Sequence, residues 1–181
     1  MQPDDVNGGA RVIAYPDYPE FRPNLTPEQV MRAGAFGGTY WRKIHSGVLG
    51  REVSNHHKKF GWNIDENLLT RQKEDVSLNK YKVHSGTTLA YWESKGWIKA
   101  QDPYGWMEWY CRFAIEGRRT ADDRRQIDRW LAIAGPNGRF KTRLVKMLKK
   151  HHKKHDDPTI SPVIHQLLLH WGVAIVDSDL Q

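Results

Sequence analysis

Three carboxylates in this chain have the setting that acid–base chemistry requires: Glu108, Asp122 and Asp123. Glu108 is the best placed. It falls within Trp106, Met107, Glu108, Trp109, Tyr110, Cys111 and Arg112, where helical spacing makes nearly every face apolar and leaves only the ladder Glu108, Arg112, Glu116 polar. An ionisable group on a buried helix must face a cleft, a ligand or a charged partner. Each of the three also has a structural reading. Glu108 can pair with Arg112 one turn on, and the two aspartates suit the positive end of a helix dipole. No Ser-His-Asp signature, Cys-His pairing or paired-carboxylate nuclease motif accompanies them, and no cofactor-binding motif is present, so no cofactor is assigned.

Metal chemistry has less support. His151 and His155 lie four apart, a spacing that can bring two imidazoles to one ion. The residues between them include Lys153 and Lys154, however, and both histidines continue the apolar line of Phe140, Leu144 and Leu148. In His56-His57-Lys58-Lys59 the ammonium groups oppose a cation. The single cysteine, Cys111, lies mid-helix and reads as a small buried hydrophobe. No metal site is assigned.

The residues suited to binding are more numerous. The formal net charge is +7, yet eight Lys and Arg and no acid fall between Arg139 and Lys154, which leaves the remainder of the chain at −1. A basic charge confined to one segment is how a polyanion-binding surface looks, although a solvated lysine face has the same composition. Arg139, Arg143, Lys146, Lys149, Lys150 and Lys153 fall on one side of this segment. Arg118, Arg119, Arg125 and Arg129 flank them from the preceding helix, and Arg42 lies apart from both. Together they could follow several phosphates.

A second binding feature is the turn Phe36-Gly37-Gly38-Thr39-Tyr40-Trp41-Arg42. Paired glycines allow a tight bend or a close approach to a ligand. With Thr39, Tyr40 and Trp41 beside them, a phosphate or a stacked base would fit, as would a plain structural turn. The Lys-Ser/Thr of a P-loop and the third glycine of a dinucleotide fingerprint are missing. Of eight tryptophans, Trp41, Trp62 and Trp97 follow or flank glycines and are the candidates for stacking on a base.

The elements that would position these residues are helices. Thr26, Pro27 and Gln29 open one with a capping box. Thr87 or Thr88 caps a short second, closed by Gly96. Asp102 and Pro103 are expected to start a third that runs to Gly117. Thr120 starts a fourth that Gly135 and Pro136 stop, and a basic fifth runs from Arg139 to His155. A last helix begins at Ser161 and Pro162 and ends at Gly172. Residues 15–24, with Pro16, Pro19 and Pro23 among Tyr15, Tyr18 and Phe21, read as an extended arm. Residues 43–82 lack periodicity and are expected to form loops with one short strand pair. The fold class is therefore mainly α, a single domain of five or six helices over residues 15–176. A flexible segment, 1–14, precedes it and an acidic tail, 177–181, follows.

The strings Phe36 to Arg42, Tyr104 to Arg112, Gly117 to Arg119, and Ala134 to Arg139 resemble a family of uncharacterised proteins of microbes, viruses and some eukaryotes. The resemblance covers about residues 15–172. It implies a complete single-domain unit and supplies no catalytic residue.

Two further classes are not expected. No apolar run approaches the roughly 20 residues that span a bilayer, and the N-terminus, with Asp4 and Asp5, does not read as a signal peptide. The expectation is an intracellular nucleic-acid-binding protein, cytoplasmic or nuclear, with DNA ahead of RNA as partner. The basic helix 139–155, beside the Arg-rich helix 118–134, would contact phosphates. A small enzyme acting on nucleic acid, by base excision or strand cleavage, and a module docking an acidic protein partner are the alternatives.

Overall fold

The computed structural model describes residues 13–181. Residues 1–12, most of the segment expected to be flexible, lie outside the described residues. The chain is mainly α, with six helices among the described residues: α1 (Pro27–Arg32), α2 (Leu89–Ser94), α3 (Trp106–Ala114), α4 (Asp123–Ile133), α5 (Arg139–Lys150) and α6 (Pro162–His170). Among the described residues the one sheet is an antiparallel hairpin of β1 (Ile44–Ser46) and β2 (Arg51–Val53), with Ile44 opposite Val53. It supplies the strand pair expected in the irregular middle. No described helix is long and apolar enough to cross a membrane.

The hub is α3, buried on every face as its composition requires. Phe21, fully buried, packs against Trp106, Trp109, Tyr110 and Phe113 of this helix and against Trp130 of α4. The arm carrying Phe21 is not extended. Tyr18 N–H donates to Tyr15 O and Phe21 N–H to Tyr18 O, each at 3.0 Å, closing two consecutive turns. Pro16 and Pro19 occupy the second position of those turns, where a fixed φ favours turning.

Several helix boundaries differ from the sequence expectation, some for tertiary and some for local reasons. Asp102 does not cap α3, because its carboxylate is taken by Arg118 at 2.5 Å. The helix begins after Gly105, at φ +87°, where an added Cβ would lie 2.6 Å from Ile98 Cδ1. The helix α4 begins at Asp123, not Thr120. Asp123 accepts from Thr120 N–H at 2.8 Å, so its side chain closes the turn that precedes the helix. The basic helix ends at Lys150, and 151–155 are not helical. His152 adopts φ +52° and Lys153 N–H donates to Leu148 O, a left-handed closure that stops the helix.

Other local expectations hold. Thr26 and Gln29 form both bonds of a capping box, and Thr88 caps α2. The helices α4 and α5, joined by Gly135 to Gly138, pack together, with Ile127, Trp130, Leu144 and Leu148 buried. The acidic tail is docked. Asp177–Leu180 forms a 3-10 turn on α5, with Asp179 2.8 Å from Lys141 Nζ.

Candidate nucleic-acid interface

Each carboxylate singled out for chemistry is engaged in the fold. Glu108, 0% exposed, accepts from His56 Nδ1 at 2.6 Å, Arg112 Nη2 at 2.8 Å and Tyr104 N–H at 3.0 Å. These bonds tie α3 to the 3-10 turn His56–Phe60 and to the loop that enters the helix. Asp123 is also fully buried and accepts from Trp109 Nε1 at 2.9 Å as well as from Thr120. Asp122 forms a two-pronged pair with Arg125 at 2.6 and 2.7 Å. All three have the partners that offset their burial, and none lines either of the two cavities described below.

The glycine turn is packed against protein. Gly37 (φ +59°) and Gly38 (φ +83°) leave room for the segment 67–75. An added Cβ would lie 2.3 Å from Glu74 Cγ at Gly37 and 2.2 Å from Asn67 O at Gly38. Trp41 is 1% exposed and packs on Tyr40, Phe60, Trp62 and Tyr104, so it is a core residue and cannot stack on a base. Tyr40 accepts from Met107 N–H and donates to Tyr104 O. Thr39 and Tyr40 do reach a cavity wall, and Arg42 joins them there, its Nη1 donating to Thr39 O at 3.0 Å.

The basic set divides in two. Arg118 pairs with Asp102, Arg119 with Asp17 at 2.6 Å, and Arg125 with Asp122. Lys153 pairs with Asp157, and Lys149 donates to Gln181 O. Arg139, Arg143, Lys146 and Lys150 are exposed, and none has an ion-pair partner among the described residues. Their spacing of four, three and four places them in one line along the outer face of α5. Packing of Leu144 and Leu148 inward is what turns this line to solvent.

At the N-terminal end of that line lies a pocket of ≈ 480 Å³. Trp92, Trp97, Trp106, Phe140 and Trp171 form much of its wall, with Arg129 and Arg139 its only charged side chains among the described residues. The Arg129 guanidinium sits 5.3 Å from the ring centres of both Trp97 and Trp171, a cation–π arrangement on two sides. It donates to Gln126 Oε1 at 2.8 Å and has no carboxylate at ion-pair distance among the described residues. Burial, helped by the like charge of Arg125, pulls its pKa down to about 10, so it stays protonated at neutral pH.

His170 lines the same pocket, stacked on Phe36 at 4.4 Å. Its Nε2 donates to Ala35 O at 2.6 Å. Burial holds its pKa down to about 4, so the ring is neutral and its Nδ1 is an acceptor.

A smaller cavity of ≈ 290 Å³ shares Phe36, Tyr40, Gly86, Thr87 and Trp92 with this pocket and adds Arg42 and Glu74. Burial acts to raise the Glu74 pKa. Bonds from His84, Ser85 and Asn79 outweigh it and hold the group at about 2.

The pocket walls come from segments near 36, 92, 97, 129, 140 and 170, so no spacing in the sequence could announce it. Trp97 was legible as a stacking candidate because it follows Gly96. Trp92, Phe140, His170 and Trp171 carried no signal beyond their places on apolar stripes. Among the described residues no group of three or more His, Cys, Asp or Glu could hold a metal ion. No family model, curated protein or solved structure matches the chain.

Proposed function

We propose that this protein binds nucleic acid, DNA ahead of RNA, through the outer face of α5. The observation that carries this reading is the line Arg139, Arg143, Lys146 and Lys150, exposed and without carboxylate partners among the described residues. At about 1.5 Å rise per residue it spans roughly 16 Å, long enough to follow several phosphates. The arginines before and within α4 contribute less to it, since Arg118, Arg119 and Arg125 already have carboxylate partners. An intracellular location, cytoplasmic or nuclear, accords with such a partner. The proposal is a binding function, because Glu108, Asp122 and Asp123 are held in bonds within the fold.

Docking of an acidic protein segment is the second reading. It is favoured by the tail's own Asp179, which already pairs with Lys141 of α5. Charge reversal separates the two. Lys146→Glu with Lys150→Glu should lower affinity for a short labelled duplex by roughly tenfold or more and leave the melting temperature close to that of the wild type, both sites being exposed. Wild-type affinity in the double variant removes α5 from the interface. A wild-type protein that binds a glutamate-rich peptide and no oligonucleotide selects the second reading.

A further inference from the structure

We propose that the aromatic pocket at the N-terminal end of α5 takes one unpaired nucleotide of a bound strand, its base among the tryptophans and its phosphate on Arg129 and Arg139. This deepens the reading of α5 as a nucleic-acid face and rests on it for the path of the strand.

Three features of the pocket carry the proposal. The first is its shape and lining. A volume of ≈ 480 Å³ falls within the range of small-ligand sites. Trp97, 37% exposed, and Tyr91 meet edge to face at 5.7 Å on its wall, so wide aromatic faces are held at the surface and not spent in the core. Flat rings suit a flat ligand, and every base has a π-face to offer.

The second feature is charge. Among the described residues no carboxylate lines the pocket, whereas two guanidinium groups do. Arg129 is the telling one. It lies between two indole rings, largely out of solvent, with a neutral amide as its one hydrogen-bond partner. A desolvated cation without a counter-ion is unfavourable, and an anion delivered by a ligand relieves that. An aliphatic or neutral aromatic ligand would fill the walls and leave this charge uncompensated. A nucleotide matches both the walls and the charge. His170 adds an unprotonated ring nitrogen, which can accept a hydrogen bond from a base.

The third feature is continuity. Arg139 belongs both to the pocket and to the line that runs on through Arg143, Lys146 and Lys150. A strand following that line reaches the pocket at its end. A paired and stacked base cannot enter, so the pocket selects strand ends, overhangs or single strands over blunt duplex.

The test compares a blunt duplex with the same duplex carrying a short single-stranded overhang, using fluorescence anisotropy and, as a second signal, quenching of tryptophan emission. Stacking of about 1–3 kcal/mol per base corresponds to a preference for the overhang of roughly fivefold to hundredfold. Trp97→Ala should abolish that preference and leave affinity for the blunt duplex unchanged, and Arg129→Gln should abolish the preference as well. Trp97→Phe, which keeps a ring, should retain most of it.

Equal wild-type affinity for both duplexes, or a preference that survives Trp97→Ala and Arg129→Gln, would overturn the proposal. So would a nucleoside monophosphate binding as tightly as the overhang, since the pocket would then serve a free nucleotide. Failure of the α5 reading looks different. There Lys146→Glu with Lys150→Glu would leave both affinities unchanged while the overhang preference persists, which upholds the pocket and removes the track.

Discussion

Replacing Glu108 with glutamine tests whether its carboxylate serves the fold or a ligand. The substitution keeps the shape and removes the charge. In the wild type the group is completely buried and takes donors from His56, Arg112 and Tyr104 at 2.6–3.0 Å. After Glu108→Gln, Arg112 keeps its bond to Gln101 O and a longer ion pair with Asp102 at 3.6 Å, but loses its closest carboxylate. Removing one partner of a buried ion pair costs about 3–5 kcal/mol. The Arg112 side chain is 17% exposed and can recover some hydration, so the lower end, about 3 kcal/mol, is expected. In a chain of this size each kcal/mol shifts the melting temperature by roughly 2–4 °C, which gives a drop of roughly 6–12 °C.

Thermal unfolding followed by circular dichroism reads this, with Asp128→Asn as the control. Asp128 pairs with Arg124 on the surface, and loss of such a pair is worth about 1 kcal/mol or less. If Glu108→Gln melts like the wild type but loses binding or an activity on nucleic acid, the structural account of Glu108 is refuted. The carboxylate would then act on a ligand.

Three further outcomes follow from the same geometry. Gly38→Ala should destabilise by more than the roughly 1–2 kcal/mol of a left-handed alanine, because its Cβ meets the backbone oxygen of Asn67; Gly37→Ala meets only the Glu74 side chain and should cost less, as chemical denaturation would show. Trp109→Phe keeps the ring but leaves Asp123 without its indole donor, at about 1–3 kcal/mol, whereas Trp109→Ala should cost about 3–5 kcal/mol. The His170 pKa lies near 4 in the folded chain against 6.5 unfolded, so the unfolded state binds its proton first and stability falls as pH drops from 6.5 toward 4. That loss amounts to about 2–3 kcal/mol by pH 4.5; His170→Gln should flatten this limb, and Glu74, held at about 2, should add a separate loss only below about 4.5.

The parts of the fold legible in the sequence were those fixed within a few residues. The capping box of α1 needs only Thr26 and Gln29, and the Gly135–Gly138 connection needs only its own chemistry. The misplaced boundaries depend on a more distant partner or on a backbone conformation the residue type does not announce. Asp102 looks like a cap until Arg118 takes it, and the stop of the basic helix comes from a non-glycine residue, His152, in a left-handed conformation that its type does not announce. The candidate site was legible in its charges and hidden in its cavity. A run of cations is visible in one dimension. Which of them lack carboxylate partners is not, because Arg119 finds Asp17 and Arg124 finds Glu20 across more than a hundred residues. The pocket was less legible still, since its tryptophans other than Trp97 read as ordinary core residues until the helices are assembled.

The salt dependence of duplex binding addresses the central claim most directly. Four unpaired cations on α5, each displacing about 0.9 counter-ion on a phosphate contact, predict a slope of log affinity against log salt of roughly −3 to −4 for the wild type. Lys146→Glu with Lys150→Glu should flatten that slope by about half or more. A wild-type slope shallower than about −1, or the same slope in both proteins, would contradict the assignment of α5 as the nucleic-acid face.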